Sequence, residues 1–353
     1  MVSNDDAASI SDIICKLQHD LLALYPESLL FGLGVNDPKR VFGTTNNLVE
    51  VFGENRVFET PTAENCSLGI AVGLAISGHK PIIVHQRLDF FLLAMDQLVN
   101  SAAKWRYMFG DVYETSMVIR LIVGRGWGQG PTHSQNLHSW FAHIPNLRVC
   151  FPAFAEDFQR AFEMAFRQPY PLIIIEDRWV HQSIGTSKKS EQENCYKARI
   201  ISKGEDISLV TFGYNSILAL KVIEFYKNKG IHIEHIDLFS LKPIDLETLY
   251  LSVKKTGRMV IVDSGFEIAS IASYISHKLT EMCFGDLLGP IRILTAGDYA
   301  EPTSYGVIDE VKVNAERIAR AIGMELGLDD IKDFTLFKSV PVDVPNPTFQ
   351  GPF

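Results

Sequence analysis

The sequence predicts an α/β protein of two domains, each an open, mostly parallel sheet with helices on its faces. Short β-branched apolar runs alternate along the chain with segments of helical period, the order expected of βαβ units with right-handed crossovers. One polar stretch, Gly185–Asn194 (GTSKKSEQEN), breaks that alternation and reads as a linker. The length of 353 residues suffices for two ordinary cores. The boundaries that follow are a first domain over residues 1–184, the linker over 185–195, a second domain over 196–327 and a Pro-rich arm over 328–353.

Each element has its own signal. In FETPTAENCSLGIAVGLAISG, Phe58 to Gly78, Glu64 heads a helix whose next turns are small and apolar. Strand runs follow at Lys80–His85, Ser116–Val123, Leu147–Phe151 and Leu172–Glu176, with helical patterns at Leu92–Tyr107 and Ala155–Arg167. The second domain repeats the order. Strands are expected at Ile207–Thr211, His232–Asp237 and Met259–Asp263, and helices at Tyr214–Lys229, Asp245–Thr256 and Ala269–Met282. The strand runs are apolar throughout, as in parallel strands covered on both faces. The arm carries four prolines and no period; its phenylalanines favour docking on this chain or a neighbour.

Composition narrows the function classes. The chain is 46% hydrophobic and 21% charged, with a net charge of -9 and no compensating basic stretch, which speaks against a nucleic-acid partner. Five cysteines (Cys15, Cys66, Cys150, Cys195, Cys283) show no CxxC spacing and read as reduced thiols of a cytoplasmic protein. Cys66 and Cys150 are expected as small buried groups. The acidic N-terminal stretch lacks the blocks of a signal peptide, and no apolar run approaches the ~20 residues that span a bilayer.

Three segments carry chemistry. Glu64 is a helix cap, worth up to about 1 kcal/mol, or a carboxylate held in a dry crevice as a tool. Gly69, Ala71, Gly73 and Ala75 let another backbone or a ligand come close. The second segment runs from His85 to Gly110 as strand end, loop and helix. In the third, Gly124 to Val149, four glycines within Gly124–Gly130 precede Thr132-His133-Ser134-Gln135, a place where backbone and side chains both face a ligand.

Together these segments resemble a known family. It is the beta subunit of the thiamine-diphosphate-dependent decarboxylating component of 2-oxo acid dehydrogenases (pyruvate or branched-chain type), within the transketolase-like group. The matching stretches are TPTAEN with GIAVGLAISG, DFFLLAMDQLVNSAAKWRYM, GPTHSQ, FAHIPNLRV, FSLKPIDLETL and GDYAEPTSY, in family order over about residues 30–325. The resemblance implies a pyrimidine-binding domain followed by a transketolase C-terminal-like domain. It implies that Glu64 hydrogen-bonds the cofactor's aminopyrimidine and favours its activating tautomer. Phe90 then stacks on that ring, Leu68 contributes to the cofactor site, and His133 faces the reacting centre. The family's Gly-Asp-Gly motif for Mg²⁺ and diphosphate is absent, so an alpha-type partner is expected to supply that half of the site in an α2β2 assembly. This chain is expected to hold no metal.

Departures from the family pattern matter too. Gly32-Leu33-Gly34-Val35 stands where an acidic pair is usual. His85, Gln86, Arg87 and Asp89 replace apolar or small residues before Phe90, and Arg125 and Trp127 elaborate the glycine loop. His85, Arg87 and Arg125 are candidate substrate contacts, Arg87 as a charge-assisted partner of phosphate or carboxylate; the alternative is a salt bridge to Asp89 or a partner. Gln168 replaces the aspartate that the resemblance implies at a structural potassium site, which leaves that ion an open question. The resemblance implies that the C-terminal domain docks a lipoyl acyltransferase core, a contact that the long arm is able to block or replace. The leading reading is a beta-type subunit that decarboxylates a 2-oxo acid and passes on an acyl or aldehyde unit. A split transketolase-like carboligase acting on a sugar or sugar-nucleotide is the runner-up, and a non-catalytic assembly subunit is the third.

Overall fold

The computed structural model describes residues 7–126, 128–186, 196–328 and 337. Trp127, Cys195, most of the linker and all of the arm except Leu328 and Phe337 lie outside the described residues. The chain divides into two compact units: one up to Gly124 and again from Trp140, the other Arg125–Ser139 and from Tyr196 onward.

In chain order the elements up to residue 186 are β1 (Ala7–Ser9), α1 (Ile10–Leu24), β2 (Ser28–Gly32), α2 (Leu48–Phe52), β3 (Val57–Glu59), α3 (Glu64–Ile76) and β4 (Lys80–His85). They continue with α4 (Leu88–Phe91), α5 (Trp105–Met108), β5 (Val118–Val123), α6 (His138–His143), β6 (Arg148–Cys150), α7 (Ala155–Glu163), β7 (Leu172–Asp177) and β8 (Ile184–Thr186). Six strands of the first unit run parallel in the order β6-β7-β5-β4-β2-β3. β1 and β8 pair antiparallel with each other. Gly185 and Thr186, at the start of the linker segment, lie in β8.

β5 and β7 are buried along their whole length, the physical reason for their unbroken apolar runs. One ion pair interrupts them. Arg120 Nε and Nη2 donate to the Glu176 carboxylate at 2.6 and 2.8 Å. The guanidinium also donates to Gln18 Oε1 at 2.7 Å and Thr44 Oγ1 at 2.9 Å, and His181 Nε2 lies 3.1 Å from Glu176 Oε2. Burial pushes the Glu176 carboxyl up, but the Arg120 charge and hydrogen bonds override it and hold it down to about 2.

The strand order fixes where a ligand can sit. β3 lies on one side of β2, and the chain then crosses to β4 on the other side. That reversal makes a switch point at the carboxyl ends of β2 and β4, the place where open parallel sheets bind ligands. Gly32 ends β2 with φ +155, and a Cβ there would strike the Val84 carbonyl, so the two strands approach too closely for any side chain.

The second unit holds β9 (Arg199–Ser202), β10 (Ile207–Thr211), α8 (Tyr214–Lys227), β11 (Ile233–Asp237), β12 (Ser240–Lys242), α9 (Leu246–Thr256) and β13 (Met259–Phe266). α10 (Ile271–Cys283), β14 (Arg292–Ala296), α11 (Ile308–Val311) and α12 (Ala315–Glu325) complete it. Its five-stranded sheet runs β14-β13-β10-β11-β9, parallel except for β9. α8 and α12 close one core, where Tyr226 donates to the Ala319 carbonyl at 2.6 Å and Phe337 stands edge-on to Phe225 at 5.2 Å.

Four expectations need correction. The helix expected over Leu92–Tyr107 is broken: α4 runs into a 3₁₀ turn (Leu92–Ala94), then a π-helical segment (Gln97–Ala102), then α5. Asp96, Asn100, Gln97 and Ser101 bond one another along the widened stretch. Asp245 is the N-cap of α9, not its first residue, and accepts from Thr248 N at 3.1 Å. A side chain at Gly73 would meet nothing within 4 Å among the described residues outside its own helix, so within this chain no backbone packs there. Cys66 is exposed, because the buried face of α3 is made by Glu64, Ser67, Leu68, Ala71, Val72 and Ala75.

Candidate active site

A cavity of about 180 Å³ opens at the switch point of the first unit. Leu33 enters it from the turn after β2, and Thr60 to Ala63 from the segment between β3 and α3. Glu64 and Ser67 face it from α3, and His85, Gln86, Arg87 and Phe90 from the end of β4 onward. Both sides of the reversal thus contribute to one lining.

Glu64 is the first residue of α3, and Ala63 is its N-cap without a side-chain bond. The carboxylate therefore does not cap the helix. It is 8% exposed, and among the described residues nothing donates a hydrogen bond to it. Its oxygens are not shut away from the cavity, so the carboxylate is open to a ligand that enters there.

The chain behind the cavity is held firmly. Glu59, at the end of β3, accepts from Gly34 N at 2.5 Å and Asn36 N at 2.9 Å. A carboxylate thus holds the loop after β2, although the loop itself carries none at Gly32–Val35. His85 is 5% exposed and stands edge-on to Phe91 at 4.8 Å. Its Nε2 is buried without a partner, and burial lowers its pKa to about 4, so the ring is neutral near pH 7. Arg87 precedes α4 and donates from Nη1 to the Gly124 carbonyl at 3.2 Å. Desolvation lowers its pKa and the Asp89 charge opposes that; the guanidinium stays charged. Phe90 is 39% exposed while Phe91 is buried, so the short α4 presents one aromatic to the cavity and one to the core.

Of the residues singled out in the sequence, the cavity unites Glu64, His85, Arg87 and Phe90. Leu68 is fully buried on α3 beneath it and is not in the lining. His133 and Arg125 belong to the second unit. There Thr132 Oγ1 and His133 Nδ1 lie 2.9 Å apart, and Arg125 Nη2 donates to the Val313 carbonyl at 3.4 Å. Their glycine loop packs on the Thr303–Tyr305 segment: Gly130 has φ +69, and a Cβ on it would meet the Thr303 side chain. His138 is structural, 2.8 Å from Asp263 Oδ1. Burial pushes the Asp263 carboxyl up, but His138 and the Gly265 and Ala272 amides hold it below its ordinary range.

Sequence reasoning did not assign Gln86, Ser67 or Thr60–Ala63 to the site, although Thr60-Pro61-Thr62 belongs to the TPTAEN motif. Among the described residues no three His, Cys, Asp or Glu side chains cluster to hold a metal ion, and no helix is long and apolar enough to cross a membrane.

Comparison with known proteins identifies the two domains and the family. The transketolase pyrimidine-binding domain matches residues 28–180 and the transketolase C-terminal domain residues 196–318. The pyruvate dehydrogenase E1 component subunit beta of Rickettsia bellii is 33% identical over 295 residues, covering 80% of this chain and 91% of that one. The acetoin:2,6-dichlorophenolindophenol oxidoreductase subunit beta of Cupriavidus necator is 34% identical over 304 residues, covering 84% and 88%. A solved structure described as a split-gene transketolase in an inactive beta4 tetramer shares the fold at 20% identity, with a TM-score of 0.69 over 91% of this chain and 98% of that one. The chain belongs to the family of pyruvate dehydrogenase E1-type beta subunits, built from the pyrimidine-binding and C-terminal domains of the transketolases.

Proposed function

We propose that this chain is the beta-type subunit of a two-chain thiamine-diphosphate enzyme that decarboxylates a 2-oxo acid and transfers the acyl or aldehyde unit. The observation that carries the reading is Glu64: a buried carboxylate, unpartnered among the described residues, lining a cavity at the switch point of a pyrimidine-binding domain. The residues present fit the aminopyrimidine half of the cofactor. Glu64 would hold a proton against a ring nitrogen, Phe90 would stack on the ring, and Leu68 backs Glu64 from the buried face of α3. Thiamine diphosphate, when bound, supplies the carbon nucleophile and electron sink for cleaving the bond to the carboxylate. In a low-dielectric cavity the Glu64 hydrogen bond is stronger than it would be in water. His133 is assigned the handling of protons or the substrate carboxylate, and Arg125 a substrate contact.

The family works as an alpha–beta assembly. The alpha-type subunit is proposed to hold Mg²⁺ and the diphosphate, since this sequence carries no Gly-Asp-Gly motif. A lipoyl acyltransferase core is proposed as the acceptor, and a cytoplasmic setting agrees with Cys15, Cys66, Cys150 and Cys283 standing outside disulfides.

The test is co-purification with the alpha-type partner, followed by a 2-oxo acid screen that detects CO₂ release and transferred product separately. The assembly should release CO₂ and bind thiamine diphosphate, while the chain alone should show no affinity at micromolar cofactor. Tight binding by the isolated chain, or an assembly inert toward every 2-oxo acid, would contradict the reading.

A further inference from the structure

The function proposed above leaves open which 2-oxo acid the site takes, and the wall beyond β4 bears on it. After His85 the chain lies across the cavity instead of alternating away from it, so His85, Gln86 and Arg87 are consecutive and all line it. Among the described residues neither the His85 ring nor the Gln86 amide makes a hydrogen bond. The ring is fixed against Phe91 and the Arg87 guanidinium is anchored on the Gly124 carbonyl. One wall therefore carries an imidazole, an amide and a cation on consecutive residues, the amide nitrogen of Gln86 lying against Gly34, while Leu33, Pro61, Ala63 and Phe90 supply the apolar lining.

A short alkyl 2-oxo acid matches that wall poorly. Its carboxylate suits the guanidinium, but its methyl group would leave the imidazole and the amide unsatisfied. A hydroxyl group both donates and accepts, as a neutral imidazole and a primary amide do. We propose that His85 and Gln86 bind a hydroxyl substituent of the substrate while Arg87 binds its carboxylate, so that the subunit acts on hydroxylated 2-oxo acids. This assignment rests on the 2-oxo acid function argued from Glu64. A site built to hydrogen-bond a substrate hydroxyl discriminates strongly against the analogue lacking it, because its own polar groups are then left unpaired.

Hydroxypyruvate and pyruvate are the probes. The alpha–beta assembly with thiamine diphosphate is assayed for kcat/KM on each acid, and binding of each acid to the cofactor-free assembly is measured by calorimetry. The unaltered chain should favour hydroxypyruvate by at least about tenfold in both readouts. His85→Phe, which keeps the ring packing, should lower that ratio about tenfold through KM, with thiamine diphosphate affinity unchanged, and His85→Gln should retain the preference. Gln86→Leu, at a half-buried position, should shift the ratio the same way and serves if His85→Phe does not assemble. Equal efficiency toward the two acids, or a ratio unmoved by both His85→Phe and Gln86→Leu, would overturn the substrate assignment alone. Turnover of neither acid by an assembly that releases CO₂ from another 2-oxo acid would overturn the substrate assignment and leave the function beneath it standing; inertness toward every 2-oxo acid would overturn both.

Discussion

At the scale of single residues, burial decides what each side chain of the site can do. Glu64, Phe90, His85 and Arg87 were legible because residue type and motif spacing survive in the sequence. Gln86 and Ser67 were not assigned, because only the turn after β4 and the buried face of α3 bring them to the cavity. The state of His85 also depends on the fold. Its ring titrates near 6.5 in the unfolded chain but is lowered to about 4 by burial, so between these values the unfolded chain binds the extra proton. Stability therefore falls as pH drops from about 6.5 toward 4, by roughly 3 kcal/mol at most from this group. The thermal midpoint should fall more between pH 7 and pH 5 for the unaltered chain than for His85→Phe. Parallel falls would show that His85 carries no such load; the buried His235, lowered to about 3 by burial, is common to both chains and cancels in the comparison.

At the scale of elements, the long apolar runs translated directly. The strand runs at Lys80–His85 and Ile207–Thr211 match β4 and β10 residue for residue, because a strand covered on both faces leaves an unbroken signal. Shorter pieces did not register: β3 has three residues and α2 five, too few to establish a period. The interruption in Leu92–Tyr107 was invisible for a related reason. A π-helical turn changes the hydrogen-bond register without changing the apolar composition. The Arg120–Glu176 pair was also unreadable, since a lone Arg in an apolar strand gives no hint of its partner 56 residues on. That pair fixes β5 to β7 and to α1 through Gln18. Arg120→Met leaves Glu176 buried without its cation and should cost about 3–5 kcal/mol by urea unfolding. A loss under 1 kcal/mol would mean that the network is not stabilising as drawn.

At the scale of the whole molecule, the chain holds a transketolase pyrimidine-binding domain, and the proposed function gives the diphosphate half of the site to a partner. Its surface is consistent with that role. On the outer side of α3, Ile70 is exposed and the space beside Gly73 is open among the described residues outside the helix itself. Tyr107, Met108, Phe109 and Val112 are exposed in and after α5, more apolar surface than isolated exposed side chains would present. Family membership was legible from motifs spread over both domains. The polar His85-Gln86-Arg87 stretch pointed in the sequence toward substrates that need polar contacts, but the substrate itself was not legible, because side chains of both subunits are expected to set it. The central claim is that Glu64 activates the cofactor, and the most direct measurement is turnover of a 2-oxo acid by the alpha–beta assembly carrying Glu64→Ala. Turnover should fall by about 10²–10⁴-fold with the assembly intact on size-exclusion chromatography; turnover within a few-fold of the unaltered assembly would contradict the account.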